Sequence, residues 1–276
     1  AGSRSAQGGL SLPLTRGGSV GWLALIGSGL FFVLTLLQYG CVLLSGFLKS
    51  KKGVYSFTLD HWNELWSIGA SPVVRSVVYA LIVAVVGTLF AALFAYYMDR
   101  RRVPGRTFFD CIATMPYMLP GTCFGIGYIL AFNHAPLKLT GTAIIVLANM
   151  LFKQLPTSAK ICSATLAQLQ PAQERSAQDL GAGRLAVIRD VVLPNMRPAL
   201  LSCFVYNFTS SMTTAGAIIF LIDPSRQLAV FRLFDAVYRG DYALASVLAS
   251  VITAIVLAVE GLVWLLSRKE GKRRVS

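Results

Sequence analysis

The sequence is short of charge. Only 13% of its 276 residues are Asp, Glu, Lys or Arg, whereas a water-soluble domain carries about one quarter, so an ordinary soluble enzyme is excluded first. Acidic residues are scarcer than basic ones, 12 against 25, for a formal net charge of +13. Histidine occurs twice, as His61 and His134, far apart in the chain. A membrane enzyme would need His, Asp or Glu clustered at one membrane face, and two isolated histidines offer no metal site. The five cysteines (Cys41, Cys111, Cys123, Cys162 and Cys203) contain no C-x-x-C or other ligand spacing. They read as small apolar residues, with no disulfide or zinc framework expected. The P-loop signature G-x-x-x-x-G-K-[ST] is missing, so no nucleotide is expected on the chain itself. No short-period repeat is visible, and no small-residue cleavage site follows the first apolar run.

What is abundant is apolar sequence: 55% of the residues, with a mean hydropathy of +0.64. Six runs approach the ~20 residues that span a bilayer core. They are approximately Trp22–Leu48, Val73–Met98, Phe108–Phe132, Leu139–Leu155, Ala199–Ile222 and Tyr242–Leu266. The fourth is the shortest, and Pro156 is expected to close it. The fold class is therefore all-α, a polytopic membrane protein with about six transmembrane helices. A +13 chain that is soluble would suggest nucleic acid as partner, but six interruptions by apolar spans turn the charge into a topology signal. Seventeen of the 25 Lys and Arg fall in one set of gaps, Lys153 and Lys160 among them, and eight in the other. Basic residues near span ends tend to stay in the cytoplasm. Both termini, the Asp99–Arg106 turn and the long Pro156–Arg197 segment are thus expected inside, and residues 49–72, 133–138 and 223–241 outside. The net charge divides into +11 inside and +3 outside, with Glu260 subtracting one. The organisation read from this is an N-terminal linker or cytoplasmic segment (1–21), a first transmembrane helix (22–48) and an external segment (49–72). A five-span core (73–268) with a cytoplasmic loop (156–197) follows, then a basic cytoplasmic tail (269–276). The Gly/Ser-rich start reads as a linker or trimmed end.

Three features inside the spans bear on function. Span three carries Pro116, Pro120, Gly121, Gly125 and Gly127 within thirteen residues, so it is expected to kink or break. Broken backbone is tolerated at membrane depth where protein or a water-filled cavity satisfies it. Either a packing kink or a pathway-lining role, with Tyr117 beside the break, fits. Span five holds Asn207, Thr209, Ser210, Ser211, Thr213 and Thr214. Six polar residues in eight cover every face of the helix, so Asn207, Ser210, Ser211, Thr213 and Thr214 are candidates to face an aqueous pathway. Hydrogen bonding between helices is the alternative. Glu260 is the one acidic residue deep in a span; it reads as snorkelling toward cytoplasmic water, with an ion relay as alternative.

The loop 156–197 is amphipathic, with apolar positions suggesting two or three short helices, a turn forced at Gly181 and Gly183, and an end at Pro194 and Pro198. A compact helical knob of this kind suits docking of a partner protein. Outside, residues 223–241 mix Asp and Arg with Phe231, Phe234 and Tyr238. That suits either a surface receiving another protein or a solvated loop with a short amphipathic helix.

Glu174-Arg175-Ser176-Ala177-Gln178-Asp179-Leu180-Gly181-Ala182, followed by Val191-Val192-Leu193-Pro194, resembles the EAA loop of ABC-importer permeases. Gly181 and Pro194 stand at the spacing of that pattern. Arg175 departs from it, standing where the pattern has Glu, with Glu174 one residue earlier. Phe57–Trp62 resembles the segment preceding the permease core, and Leu119–Thr122 with Gly125–Tyr128 resembles the second core helix of iron(III)- and polyamine-type permeases. Thr213–Leu221 is similar to the ferric-iron branch, in which two six-span halves are often fused, and Gly17-Gly18-Ser19 resembles the linker into a second half.

The resemblance implies a type I ABC importer permease core of MetI-like fold in the bacterial inner membrane, and no catalytic residue in the chain. ATP and Mg would be bound by a cytoplasmic ABC ATPase dimer. A second permease half, fused or separate, would complete the pathway, and a periplasmic or lipid-anchored binding protein would deliver substrate. Membrane lipid would be the remaining partner, and nucleic acid none. The coupling residues it implies are Glu174, Arg175, Ser176, Ala177, Asp179, Leu180, Gly181, Ala182, Leu193 and Pro194. The cargo it points to is ferric iron, with polyamine, aminophosphonate and thiamine as alternatives. An ATPase-independent secondary transporter is the competing class; it would need buried ion-pair or relay residues beyond Glu260.

Overall fold

The computed structural model describes residues 18–51, 54–68, 70–100, 104–136, 138–223 and 226–273. Most of the expected N-terminal linker, Arg101 and Arg102 of the basic turn, and the last three residues of the tail lie outside them.

Helix α1 (Ser19–Ser45) stands as a unit of its own. It is apolar all round, with no part of its span buried, as expected of a helix whose only solvent is lipid. The second compact unit begins with a short antiparallel hairpin, β1 (Leu48–Lys51) and β2 (Val54–Phe57), in which Leu48 pairs with Phe57. This hairpin is the only departure from an all-α fold among the described residues. Helix α2 (Asp60–Ile68) leads into α3 (Ser71–Arg100).

Helix α3 is the axis of the second unit. Its buried stripe is made of small residues (Ala80, Ala84, Gly87, Thr88, Ala91 and Ala95) at helical spacing, which lets neighbouring backbones approach closely. Against it pack α6 (Ala143–Gln168) and α10 (Arg197–Thr213). A Cβ on Gly87 would lie 3.2 Å from the Asn207 amide nitrogen. Helix α13 (Tyr242–Arg273) and the short amphipathic α12 (Ala229–Tyr238) close the outer side. The Ser76 hydroxyl accepts from the Ala229 amide (2.9 Å), pinning α12 to α3.

Among the described residues three helices, α1, α3 and α13, are long and apolar enough to cross a membrane. A fourth span exists if a bent pair is counted as one. That pair is α4 (Arg106–Met118) and α5 (Gly121–Phe132), which meet at 112° across Leu119-Pro120. Pro120 has no amide to continue α4, so the break expected in span three is present.

Two boundaries differ from those read in the sequence. Pro156 does not close span four: α6 runs through it to Gln168, because Gln154, Leu155, Pro156, Ser158, Ala159 and Cys162 are all buried and tertiary packing overrides the lost amide bond. Lys153 and Lys160 therefore both sit on α6. Span five ends at Thr213, and the chain turns before α11 (Ile218–Leu221). The turn is held against the helix break: a Cβ on Gly125 would meet the Ala217 carbonyl at 2.6 Å, and one on Gly121 its amide at 3.1 Å. Only glycine fits such an approach.

Candidate functional site

Between α6 and α10 the chain forms a compact helical knob. Helix α7 (Pro171–Asp179) opens with Pro at its first position, which is favourable there because that amide has no helical acceptor. It ends on a left-handed Gly181 (φ +88°), and the Ala182 amide reaches back to the Ala177 carbonyl (3.0 Å) while Gly181 reaches Gln178 (2.9 Å). These are the bonds of a glycine-terminated helix end. The return segment is α8 (Arg184–Ala186), a π-helical turn (Val187–Val192) and α9 (Leu193–Asn195).

The base of the knob is rigid. Val187, Ile188, Val192 and Met196 are buried with Leu166 and Cys162 of α6, Tyr96 of α3 and Cys203 of α10. Over this cluster lies an ion pair, Arg100 Nε to Glu174 Oε1 at 3.0 Å, with side chains 16% and 13% exposed. The Tyr96 hydroxyl donates to the other oxygen of Glu174 (3.2 Å), and Arg100 also donates to the carbonyls of Leu166 (2.8 Å) and Leu169 (2.7 Å) at the end of α6. One guanidinium thus caps α6 and anchors α7. Glu174, not position 175, is the acid held inside; Arg175 and Ser176 are exposed, Ala177, Ala182 and Leu193 are half-buried against the base, and Pro194 is half-buried.

The tip is the opposite in character. Leu180 is 89% exposed and Leu185 is 77% exposed, flanked by exposed Asp179, Arg184, Arg189 and Asp190. Two bare leucines thus stand on a packed base, ringed by charge.

Within the spans, the residues expected along a pathway separate into three environments. Asn207, Ser211 and Thr214 are buried, at 1%, 3% and 4% exposure. Asn207 donates to Thr88 Oγ1 (3.2 Å) and accepts from Ser158 Oγ (2.7 Å), tying α10 to α3 and α6. Gln154, with its amide nitrogen turned to Asn207, donates to that residue's carbonyl (3.1 Å) and Oδ1 (3.2 Å) and accepts from Ser211 Oγ (2.9 Å). Ser210 is half-buried and faces an open groove of about 1090 Å³ between α10 and α13, shared with Tyr206, Thr209, Glu260 and Trp264. Thr213 is exposed and bonds back to its own helix at Thr209 (3.0 Å). Tyr117, 68% exposed, lines a separate cavity of about 450 Å³ with Thr157 and Lys160 of α6.

Sequence reasoning missed three participants. Arg100 was hidden in a basic run that reads as topology, Gln154 in a run read as apolar, and Lys153 was counted only as one of the basic residues at span ends. The helical spacing of Asn149, Lys153 and Lys160 was the available signal for the last.

Comparison with known proteins places this architecture. The sequence pattern of the family described as "Binding-protein-dependent transport system inner membrane component" matches residues 84–271. The chain is 30% identical over 236 residues to the ferric transport system permease protein FbpB of Actinobacillus pleuropneumoniae, covering 84% of this chain and 34% of that protein. It thus spans about a third of that relative's length. It is also 30% identical over 259 residues to the sulfate transport system permease protein CysT of Salmonella typhimurium, covering 87% of this chain and 93% of that one. In fold it is similar to a chain of the bacterial alginate ABC transporter crystallised with an alginate pentasaccharide-bound periplasmic protein (TM-score 0.68, 16% identity, 90% and 93% of the two chains). With a family pattern spanning most of its length and a knob built on Glu174 and Gly181, the chain belongs to the binding-protein-dependent transport system inner membrane components, the permeases of ABC importers.

Proposed function

We propose that this chain forms half of the substrate pathway of an ATP-driven importer and couples to a cytoplasmic ATPase dimer through the knob between α7 and α9. The observation that carries this reading is the pairing of a clamped base with a bare tip. Arg100, Glu174 and Tyr96 fix the knob to α3 and α6, while Leu180 and Leu185 offer apolar surface that gains by burial. An ATPase-independent carrier would have no use for such a tip. ATP and Mg belong on the partner subunit, a second permease half completes the pathway, and a binding protein supplies cargo from outside. Both termini lie on the ATPase side in this reading.

Ferric iron is the first candidate cargo and sulfate the second, as their permeases are similar to this chain at equal identity; polyamine, aminophosphonate and thiamine follow. The test is Leu180→Asp with Leu185→Asp in the assembled transporter. Both positions are exposed, so membrane insertion should be unchanged while ATPase co-purification and uptake fall about tenfold or more. Wild-type co-purification together with full uptake in the double variant would overturn the coupling role.

A further inference from the structure

The break between α4 and α5 leaves a pocket that holds a lysine and an unpartnered amide nitrogen but no carboxylate. Helix α5 begins at Gly121 after Pro120, which has no side chain to cap it. The amides of Cys123 and Phe124 find the Pro120 carbonyl (3.0 and 3.4 Å), leaving those of Gly121 and Thr122 as the open donors at the positive end of the helix dipole. Gly121 lines a cavity of about 10 Å³ together with Asn149 and Lys153 of α6, Tyr128 of α5, Ala217, and the apolar walls of Pro116, Phe124 and Phe152. That volume admits about one water-sized group. Asn149 is 3% exposed and its Nδ2 has no hydrogen-bond partner.

Lys153 stands one turn from Asn149 on the same face of α6. None of the ion pairs among the described residues involves it, no acidic side chain lines the cavity, and no group of three His, Cys, Asp or Glu comes together among the described residues. It lies roughly 15 Å along α6 from Ala143 and is half-buried. An ammonium partly withdrawn from water with no counter-charge beside it is costly. A water could answer the amides but not the charge, and a bare metal cation would be repelled.

We propose that this pocket binds one oxygen of an oxyanion, held by the Gly121 amide, the Asn149 amide and the Lys153 ammonium, and that the cargo crosses as a sulfate- or phosphonate-type anion. Iron would pass only inside a shell of anionic oxygen ligands. The cargo assignment rests on the permease reading; the pocket itself does not.

The test is thermal unfolding of the purified full chain in a nonionic detergent free of phosphate headgroups, with sodium sulfate against sodium chloride at matched ionic strength. Sulfate should raise the midpoint. Lys153→Met and Asn149→Leu should each raise the half-saturating sulfate concentration about tenfold or more, the loss of one charge-assisted donor, while Lys153→Arg retains protection. Equal sulfate protection of wild type and Lys153→Met, or none in either, overturns the pocket. Protection that appears only when phosphatidylglycerol is added assigns it to a lipid headgroup and overturns the cargo role. In cells, labelled-sulfate uptake should fall in Lys153→Met with ATPase co-purification unchanged. A wild-type chain that recruits no ATPase would instead overturn the permease reading, leaving the sulfate shift to judge the pocket.

Discussion

The knob and the membrane core solve the same problem, fixing α6 against its neighbours, with different chemistry. At the knob an ion pair does it: Arg100 and Glu174, nearly buried, with a tyrosine hydroxyl and two helix-end carbonyls completing the set. In the core the groups are neutral: Asn207, Thr88, Ser158, Gln154 and Ser211 bond across three helices. Partly wet ends of helices tolerate charge because water and carbonyls remain close. Within the apolar layer a charge needs a partner and a neutral amide needs only another amide or hydroxyl.

The largest expected effect is on the charged side. Arg100→Met strands Glu174 and uncaps α6, and should cost about 3 kcal/mol in detergent unfolding, with ATPase co-purification falling in parallel. Adding Glu174→Leu should recover part of the stability. Were the single variant neutral, the ion pair would be ornamental and the contrast lost. On the neutral side, Asn207→Ala should cost about 2 kcal/mol, several interhelical bonds of modest individual strength. Thr213→Ala, which bonds only its own helix, should be near neutral by the same measurement. Between these two lies Gly181→Ala, about 1 kcal/mol for a left-handed alanine. The space around Gly181 is open, so the cost is purely of backbone, and it should appear as weaker ATPase association rather than lower expression.

Much of this was legible in the sequence, for reasons that also explain the rest. Helices α1, α3 and α13 announce themselves by hydropathy alone, and the break in span three by Pro120-Gly121, because those signals are local. The knob's turn was readable from Gly181 and its spacing to Pro194. What local signals could not carry was the continuation of α6 through Pro156. A proline reads as a terminator, and only the burial of its neighbours against α3 and α10 reverses that. Nor does any local pattern pair Arg100 with Glu174 across the intervening spans. The polar run of α10 was readable as polar, but which of its hydroxyls face inward is decided by the small residues of α3, chiefly Gly87 and Thr88.

The unbroken course of α6 reduces the number of independent joints in the molecule. From Gln168, where Arg100 grips its last turn, to Lys153 the helix is one stiff segment of roughly 22 Å. A small tilt imposed at the gripped end arrives at the other as a sideways shift, at an amplitude set by lever length alone. If the knob is the coupling element proposed above, the pocket at the α4–α5 break would shift in step with it, with Pro156 as the one bending point between them.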